Sequence, residues 1–446
     1  MNIIIAGDGE VGLHLAESLV NSNHNITIVD PHEDLLKMFE SHSDLMTIKG
    51  DATSISVLEQ ANVKKADLLI SVVHQEHVNL LTCILAKKLG AKKVIARVNT
   101  MENLSLQNRQ IYQELGIDAL ISPEDIAAQE IISLLNQTAA TEVFEFSDGK
   151  LQLFMIKLEA TAPVINMSLN QIASEYKNLN FRAVAIHRKR STFIPRGDDQ
   201  FQANDLAYVI TKPDAIEQLL ELGGKVEHEI HNVMIIGGGR VGRITAKRLE
   251  KEMNIKMIEK DKDRCMVLTG YLEDTLIING DARNIQLLED EHITSMDAFI
   301  AVTNNTETNI LTCLHAHMNG VKKTIALVEN IDYIDISQNI GIDTIINKKL
   351  IAASYMVRYT MGTEVLTLKC LSGIDADAME MIARPGSPIT KKPINKLNIP
   401  DGVIIGGVVR DEKAYIALGD FQVQENDKVV VFVLPYAVHK VEKLFH

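Results

Sequence analysis

Tryptophan is absent from the chain, and nine tyrosines with eleven phenylalanines bring the aromatic share to only 4%. That removes the ring platforms on which single-stranded nucleic acids stack. Basic residues are in deficit as well: 45 Lys and Arg stand against 59 Asp and Glu, a net charge of −14 spread along the chain without acidic blocks. A nucleic-acid binder needs basic stripes for phosphates, so that class is excluded. Cysteine is limited to Cys83, Cys265, Cys313 and Cys370, far apart and without a CxxC pair, which indicates neither a disulfide framework nor a zinc site. Long apolar runs are missing too, since nothing approaches the roughly 18 to 20 residues that span a bilayer. Residue 1 already opens a strand, which leaves no room for a signal peptide, and a cytoplasmic protein is expected.

What is present is ample core material. Hydrophobic residues make up 46% of 446 positions, a length that suggests about three domains. The chain opens on MNIIIAGDGEVGLHLAESLVNSNHNITIVD. Three consecutive isoleucines suit a strand buried on both faces of a parallel sheet. It runs into Gly7-Asp8-Gly9-Glu10-Val11-Gly12, and a helical pattern follows through Leu13, Ala16, Leu19 and Val20. Gly7 permits the tight turn, Gly9 leaves room for a pyrophosphate against the backbone, and Gly12 lets the helix sit close to the strand. The helix start then aims unpaired N–H groups and partial positive charge at an anion. A second strand, Ile26 to Val29, ends in Asp30. An acid at that place accepts hydrogen bonds from ribose hydroxyls and repels a 2′-phosphate, so NAD(H) or another adenosine nucleotide is favoured over NADP(H).

A helix is expected from His32 to Ser41, then a strand ending in Gly50-Asp51-Ala52. The fourth strand runs from Ala66 to Val73, a helix spans Asn79 to Leu89, and Lys92 to Val98 and Ala119 to Ile121 complete six strands. Alternating strand and helix at this spacing predicts a doubly wound parallel sheet with right-handed crossovers. Asp51 and Ala52 fall at the adenine edge of such a fold, Val73 closes the fourth strand, and Arg97 ends the fifth. From Thr141 to Leu222 strands predominate, describing a small α+β module, and Gly223 to His231 reads as a linker.

The opening motif then returns as Gly237-Gly238-Gly239-Arg240-Val241-Gly242, with Gly242 lying 230 positions after Gly12. Glu259 answers Asp30, Gly280-Asp281-Ala282 answers Gly50-Asp51-Ala52, Thr303 answers Val73, and Asn309 to Cys313 answers Asn79 to Cys83. The small module repeats at an offset of 222, with Asn426-Asp427 matching Asn204-Asp205. The run Val429 to Leu434 is too short to span a membrane and reads as a central strand of the last module. The layout is large, small, large, small: two nucleotide sites in one chain and a built-in pseudo-dimer. Its expected bounds are 1–136, 141–224, 231–355 and 363–446.

Both glycine motifs, their acids, the two Gly-Asp-Ala turns and the stretch Ile399 to Arg410 together resemble the TrkA family of Trk-system potassium uptake regulatory proteins over essentially the full length. The resemblance implies two Rossmann-like RCK domains, each followed by a small α+β TrkA-C domain. It also implies a cytosolic, non-enzymatic subunit that binds NAD(H) and ATP or ADP. Such a subunit assembles as a homo-oligomer, dimer or tetramer ring, beneath a TrkH/TrkG-like membrane potassium-translocating subunit whose opening it controls.

The two copies differ where phosphates are expected. Glu10 in the first loop repels a third phosphate, whereas Arg240 takes the matching place in the second and pairs with phosphate oxygens. NAD(H) is therefore expected in the first site and ADP or ATP in the second. Arg97 has Leu327 as its counterpart, confining any phosphate contact from that strand to the first half. His74 and His77 have Asn304 and Glu307 as counterparts, and Cys313, His315 and His317 have Cys83, Leu85 and Lys87, so loop and helix roles are expected rather than a metal. Arg188, Lys189 and Arg190 form a tight basic cluster, read as a solvated hairpin tip or an electrostatic contact with a membrane protein's cytosolic face or with lipid. An NAD-dependent dehydrogenase is the rival class, but no His or Lys and carboxylate set is placed for hydride transfer.

Overall fold

The computed structural model describes residues 1–7, 10–20, 24–33, 36, 45–136, 142–176, 180–188, 191–224, 229–330, 332–360, 365–371, 376–434 and 437–445. Most of the helix expected over His32 to Ser41 lies outside these residues, as do Lys189 and Arg190.

The first parallel sheet contains β1 (Asn2–Ala6), β2 (Asn25–Asp30), β3 (Leu45–Lys49), β4 (Leu68–Ser71), β5 (Lys93–Arg97) and β6 (Ala119–Ile121), in the order β3-β2-β1-β4-β5-β6. Ile3, Ile4 and Ile5 are 1%, 2% and 0% exposed, which places the β1 side chains in apolar layers on both faces. Register is in step across the centre, with Ile5 opposite Ile28 in β2 and Ile70 in β4. Strand order reverses between β1 and β4, and such a switch point opens a crevice at the carboxyl ends of the strands.

A second small module follows: β7 (Glu142–Phe146), β8 (Leu151–Lys157), β9 (Phe181–Arg188), β10 (Ser191–Phe193) and β11 (Leu206–Thr211), antiparallel in the order β10-β9-β11-β8-β7. The second parallel sheet comprises β12 (Asn232–Ile236), β13 (Asn254–Glu259), β14 (Leu276–Asn279), β15 (Ala298–Ala301), β16 (Lys323–Leu327) and β17 (Thr344–Ile346), ordered β14-β13-β12-β15-β16-β17. The last module holds β18 (Val365–Cys370), β19 (Asp377–Ile382), β20 (Val403–Arg410), β21 (Lys413–Ile416) and β22 (Lys428–Val433), ordered β18-β19-β22-β20-β21. Both parallel sheets thus share one topology, and Val429 to Val433 is an inner strand of the last module.

The chain divides into two compact units, 1–127 with 348–362 and 128–347 with 363–446. In the first, the Lys348–Val357 helix packs on the Glu10–Val20 helix. Ala352 and Ala353 are buried there, as are Leu15, Ala16 and Leu19, and small side chains let the two backbones approach. The first parallel domain is thereby covered by a helix that follows the second sheet in sequence. In the second unit, Gln129 Oε1 accepts a hydrogen bond from Arg248 Nη1 at 3.2 Å.

The two antiparallel modules share one apolar core within the second unit, where Phe146, Leu153 and Tyr208 meet Ile404, Val430 and Phe432. Polar groups also link them: the Ser147 hydroxyl donates to the Glu380 carboxylate, and Arg182 donates to the carbonyls of Ile405 and Ala417.

The repeated Asn-Asp pair has a structural cause. Asn204 and Asn426 adopt φ of +68° and +66°, a left-handed conformation that asparagine tolerates. Asp205 and Asp427, each 1% exposed, then accept the fork of Arg188 and Arg410 with terminal distances of 2.7 Å in both copies. Arg188 is therefore committed to a buried carboxylate, which corrects its reading as part of a solvated tip. Asp205→Ala and Asp427→Ala are each expected to cost about 1–3 kcal/mol, because the buried carboxylate that accepts from the arginine and from the amide of Gln202 or Gln424 is lost. Chemical denaturation of each full-length variant checks this, and a change below about 0.5 kcal/mol would show a mere surface pair.

Candidate functional site

The second parallel sheet displays its corner completely. β12 runs into Gly237, whose φ of +101° only glycine adopts readily and whose N–H donates to Ile258 O at 2.9 Å. A Cβ on Gly242 would stand 2.1 Å from Gly237 O, so the following helix, Arg240–Leu249, sits directly against the turn. A Cβ on Gly239 would meet nothing within 4 Å, and as the N-cap residue Gly239 offers this helix start no capping side chain. Open space and a helix start without an N-cap side chain coincide there, the arrangement that receives an anionic group.

Around this start lies a cavity of about 310 Å³. That is the low end of the roughly 300–1,000 Å³ that small-molecule sites occupy. Gly237, Gly239, Glu259, Asp281, Ala282 and Thr303 line it, bringing together six positions marked in the sequence. Gly238, Val241 and Gly242 lie buried behind the wall, and Arg240 is exposed at the helix start.

Glu259 at the end of β13 is 6% exposed. Its Oε2 accepts from Gly238 N at 2.8 Å and from Arg264 Nη1 at 3.3 Å, and its Oε1 accepts from Asp261 N at 2.8 Å. The acid thus braces the glycine loop while facing the cavity. Asp281 is gripped by Arg283, with Nη2 2.6 Å from Oδ2 and Nε 3.0 Å from Oδ1, and Lys260 Nζ stands 3.1 Å from Oδ2. The Arg283 fork holds the Asp281 carboxyl far below the usual carboxylate range. Thr303 donates its N–H and its hydroxyl to Asn309 Oδ1 at 3.0 and 2.6 Å, and Asn309 Nδ2 donates to Thr303 O and Leu327 O. This buried amide ties the carboxyl ends of β15 and β16 together.

Lys260, Arg264 and Arg283 line the same cavity and escaped the sequence reading. Their counterparts in the first copy are Pro31, Leu35 and Thr53. Comparing the copies residue by residue past each motif, and not only within it, would have exposed three added cations.

The first corner follows the same backbone plan. Gly7 has φ of +111°, and a Cβ on it would lie 2.8 Å from Val73 N; one on Gly12 would lie 2.1 Å from Gly7 O. Asn79 Nδ2 donates to Val73 O and Arg97 O at 2.8 and 2.9 Å, repeating the role of Asn309. Asp30 is buried and accepts from His32 N and Nδ1 at 2.9 and 2.8 Å. Asp51 accepts from Thr53 N and Oγ1 at 2.8 and 2.7 Å, bonds that hold its carboxyl below the usual range, and Ala52 is buried beside it. Val11 is 8% exposed. Asp8, Gly9 and the Glu10 side chain lie outside the described residues. Arg97 turns its guanidinium to Glu124, Nη2 to Oε1 3.4 Å, with the two side chains 14% and 7% exposed. Its contact with a phosphate would require leaving that partner.

Among the described residues, no three His, Cys, Asp or Glu side chains gather as a metal site. Burial drives the thiols of Cys83 and Cys313 well above their ordinary range, away from the nucleophilic form.

The TrkA-N domain family matches residues 3–123 and 233–348, and the TrkA-C domain family matches 153–223 and 378–446. The Trk system potassium uptake protein TrkA of Halomonas elongata is 32% identical, with 100% of this chain and 98% of that one covered. A Trk system potassium uptake protein TrkA homolog of Archaeoglobus fulgidus is 34% identical, with 100% of both chains covered. Among solved structures, the GsuK channel bound to NAD aligns with TM-score 0.61 at 17% identity, covering 100% of this chain and 78% of that one. GsuK bound to ADP aligns with TM-score 0.51 at 16% identity, covering 80% and 68%.

The two cradle glycines are expected to respond unequally to a methyl group. Gly242→Ala forces the helix off the turn and should cost about 1–3 kcal/mol, whereas Gly239→Ala meets open space and should cost under about 1 kcal/mol. Equal unfolding midpoints for the two variants would contradict the close helix–turn contact.

Proposed function

The chain belongs to the TrkA family of Trk system potassium uptake proteins, and we propose that it is the cytoplasmic, nucleotide-binding regulatory subunit of a potassium uptake system. The observation that carries this reading is the corner built twice over: a left-handed glycine turn, a helix held against it by a second glycine, and a buried acid at the end of the neighbouring strand. GsuK structures with NAD and with ADP support adenosine nucleotides as the occupants. The first corner takes NAD(H) and the second ADP or ATP, because Glu10 stands in one glycine loop where Arg240 stands in the other. Contacts run from Gly7 to Gly12, Asp30, Asp51, Ala52, Val73 and Arg97 in the first. In the second they run from Gly237 to Gly242, Glu259, Asp281, Ala282 and Thr303.

The partner is a membrane potassium-translocating subunit of the TrkH/TrkG kind, and the chain works as a homo-oligomer, dimer or tetramer ring. Among the described residues no helix is long and apolar enough to cross a membrane, which is in keeping with a partner that supplies the pore. The functional repeat is that of the four domains, 1–136, 141–224, 231–355 and 363–446. Nucleotides act by shifting the arrangement of these domains and are left chemically unchanged. A ligand moves such an equilibrium only by its differential affinity for the two arrangements, and each copy in a ring adds its share.

Calorimetry and absorbance test the proposal on the full-length chain. NADH and ATP are both expected to bind, the NADH absorbance is expected to stay constant over hours, and Arg240→Ala is expected to weaken ATP about tenfold while leaving NADH unchanged. Steady loss of NADH, or no binding of either nucleotide, would overturn it.

A further inference from the structure

We propose that the second corner contains a separate subsite for a phosphate monoester on the 2′ position of an adenosine ribose, formed by Lys260, Arg264 and Arg283. The inference rests on the reading that this corner takes an adenosine nucleotide. It adds a preference at the ribose: besides ADP or ATP, this corner accepts, and holds more tightly than the unmodified monophosphate, an adenosine nucleotide phosphorylated on its 2′ position.

Position is the first ground. In a parallel sheet of this strand order, the acid ending the second strand marks the ribose, and the loop after the third strand lies on its far side. Lys260 directly follows Glu259, Arg264 lies in the Lys262–Tyr271 helix after it, and Arg283 follows the Gly280-Asp281-Ala282 turn. All three line the cavity at that end, whereas the 5′ phosphates belong to the glycine loop and the start of the Arg240–Leu249 helix.

Charge is the second. Three cations here face two carboxylates, Glu259 and Asp281, leaving an excess of one positive charge, 3 − 2. At the matching positions the first copy has Pro31, Leu35 and Thr53 beside Asp30 and Asp51, no cation against two carboxylates. The backbone plan is the same in both corners, so the difference lies in the side chains.

The partners are the third. An acid in Glu259's place ordinarily repels a 2′-phosphate. Here both its oxygens are engaged by the amides of Gly238 and Asp261, and Arg264 stands beside it. Lys260 and Arg283 converge on the single carboxylate of Asp281 at 3.1 and 2.6 Å. Their side chains are 69% and 62% exposed, so both can turn onto an incoming phosphate without unpacking a core. A phosphate monoester dianion offers three acceptor oxygens to a lysine and two arginines, and guanidinium forks match such oxygens two at a time. The expected preference for NAD(H) over NADP(H) then holds at the first corner and is reversed at the second.

Titration calorimetry on the full-length chain tests the subsite with adenosine 2′,5′-bisphosphate, 5′-AMP, ATP and inorganic phosphate. One site per chain is expected to bind the bisphosphate about tenfold or more tightly than AMP, with the gain falling as salt is raised. In the Lys260→Gln/Arg283→Gln double variant the bisphosphate should fall to the level of AMP, while AMP itself changes less than about twofold; Lys260→Arg should keep the gain. Equal affinity of the unmodified chain for bisphosphate and AMP would overturn the proposal. So would a gain that survives the double variant, inorganic phosphate competing as strongly as the bisphosphate, or ATP showing the same dependence on Lys260 and Arg283. Failure of AMP, ATP and NADH alike to bind would instead sink the nucleotide-binding reading on which it rests.

Discussion

Everything at the two corners depends on how closely a helix can approach the turn that precedes it. Gly12 and Gly242 each leave 2.1 Å between an imagined Cβ and the carbonyl of the turn glycine, so a side chain there must displace the helix. Because the helix starts so close to the strand, its first amides face the mouth of the sheet, and the strand-order reversal leaves that mouth open. Glu259 and Asp30 then sit at the end of the neighbouring strand, buried and hydrogen-bonded, as a fixed negative group beside each glycine turn. An anion-attracting end and a hydroxyl-accepting end are thereby held a fixed distance apart by backbone alone.

The repeat allows the side chains to be judged against a constant frame. Asn79 and Asn309 tie the same two strand ends, and Gly7 and Gly237 make the same left-handed turn. Against that constancy, a threonine-held Asp51 and an arginine-gripped Asp281 are different electrostatic environments on one scaffold. Duplication followed by charge divergence gives one chain two corners of one backbone plan and unlike charge. The shared core of the small modules, with Phe146 and Phe432 fully buried in it, gives the two copies a common foundation in the second unit.

How much of this was legible in the sequence follows from how local each cause is. The strands, the glycine turns and the matching acids were readable because φ, side-chain volume and sequence spacing decide them within a few residues. Asn204 and Asn426 were visible as a match, but the reason for it was not: Asp205 receives Arg188 from seventeen positions earlier, a partnership only the folded hairpin creates. Lys260, Arg264 and Arg283 went unmarked, because two loops must converge before they face one cavity. Least legible was the Lys348–Val357 helix, which packs on the Glu10–Val20 helix of the first domain: nothing within its own ten residues says which copy it will cover.

The central claim is that one chain holds two unlike nucleotide pockets that work side by side without chemistry. Equilibrium dialysis of the full-length chain with labelled ATP, in the presence of saturating NADH, tests it most directly. The account predicts one ATP retained per chain alongside one NADH, both recovered unaltered. Complete displacement of ATP by NADH, or recovery of oxidised cofactor, would contradict it.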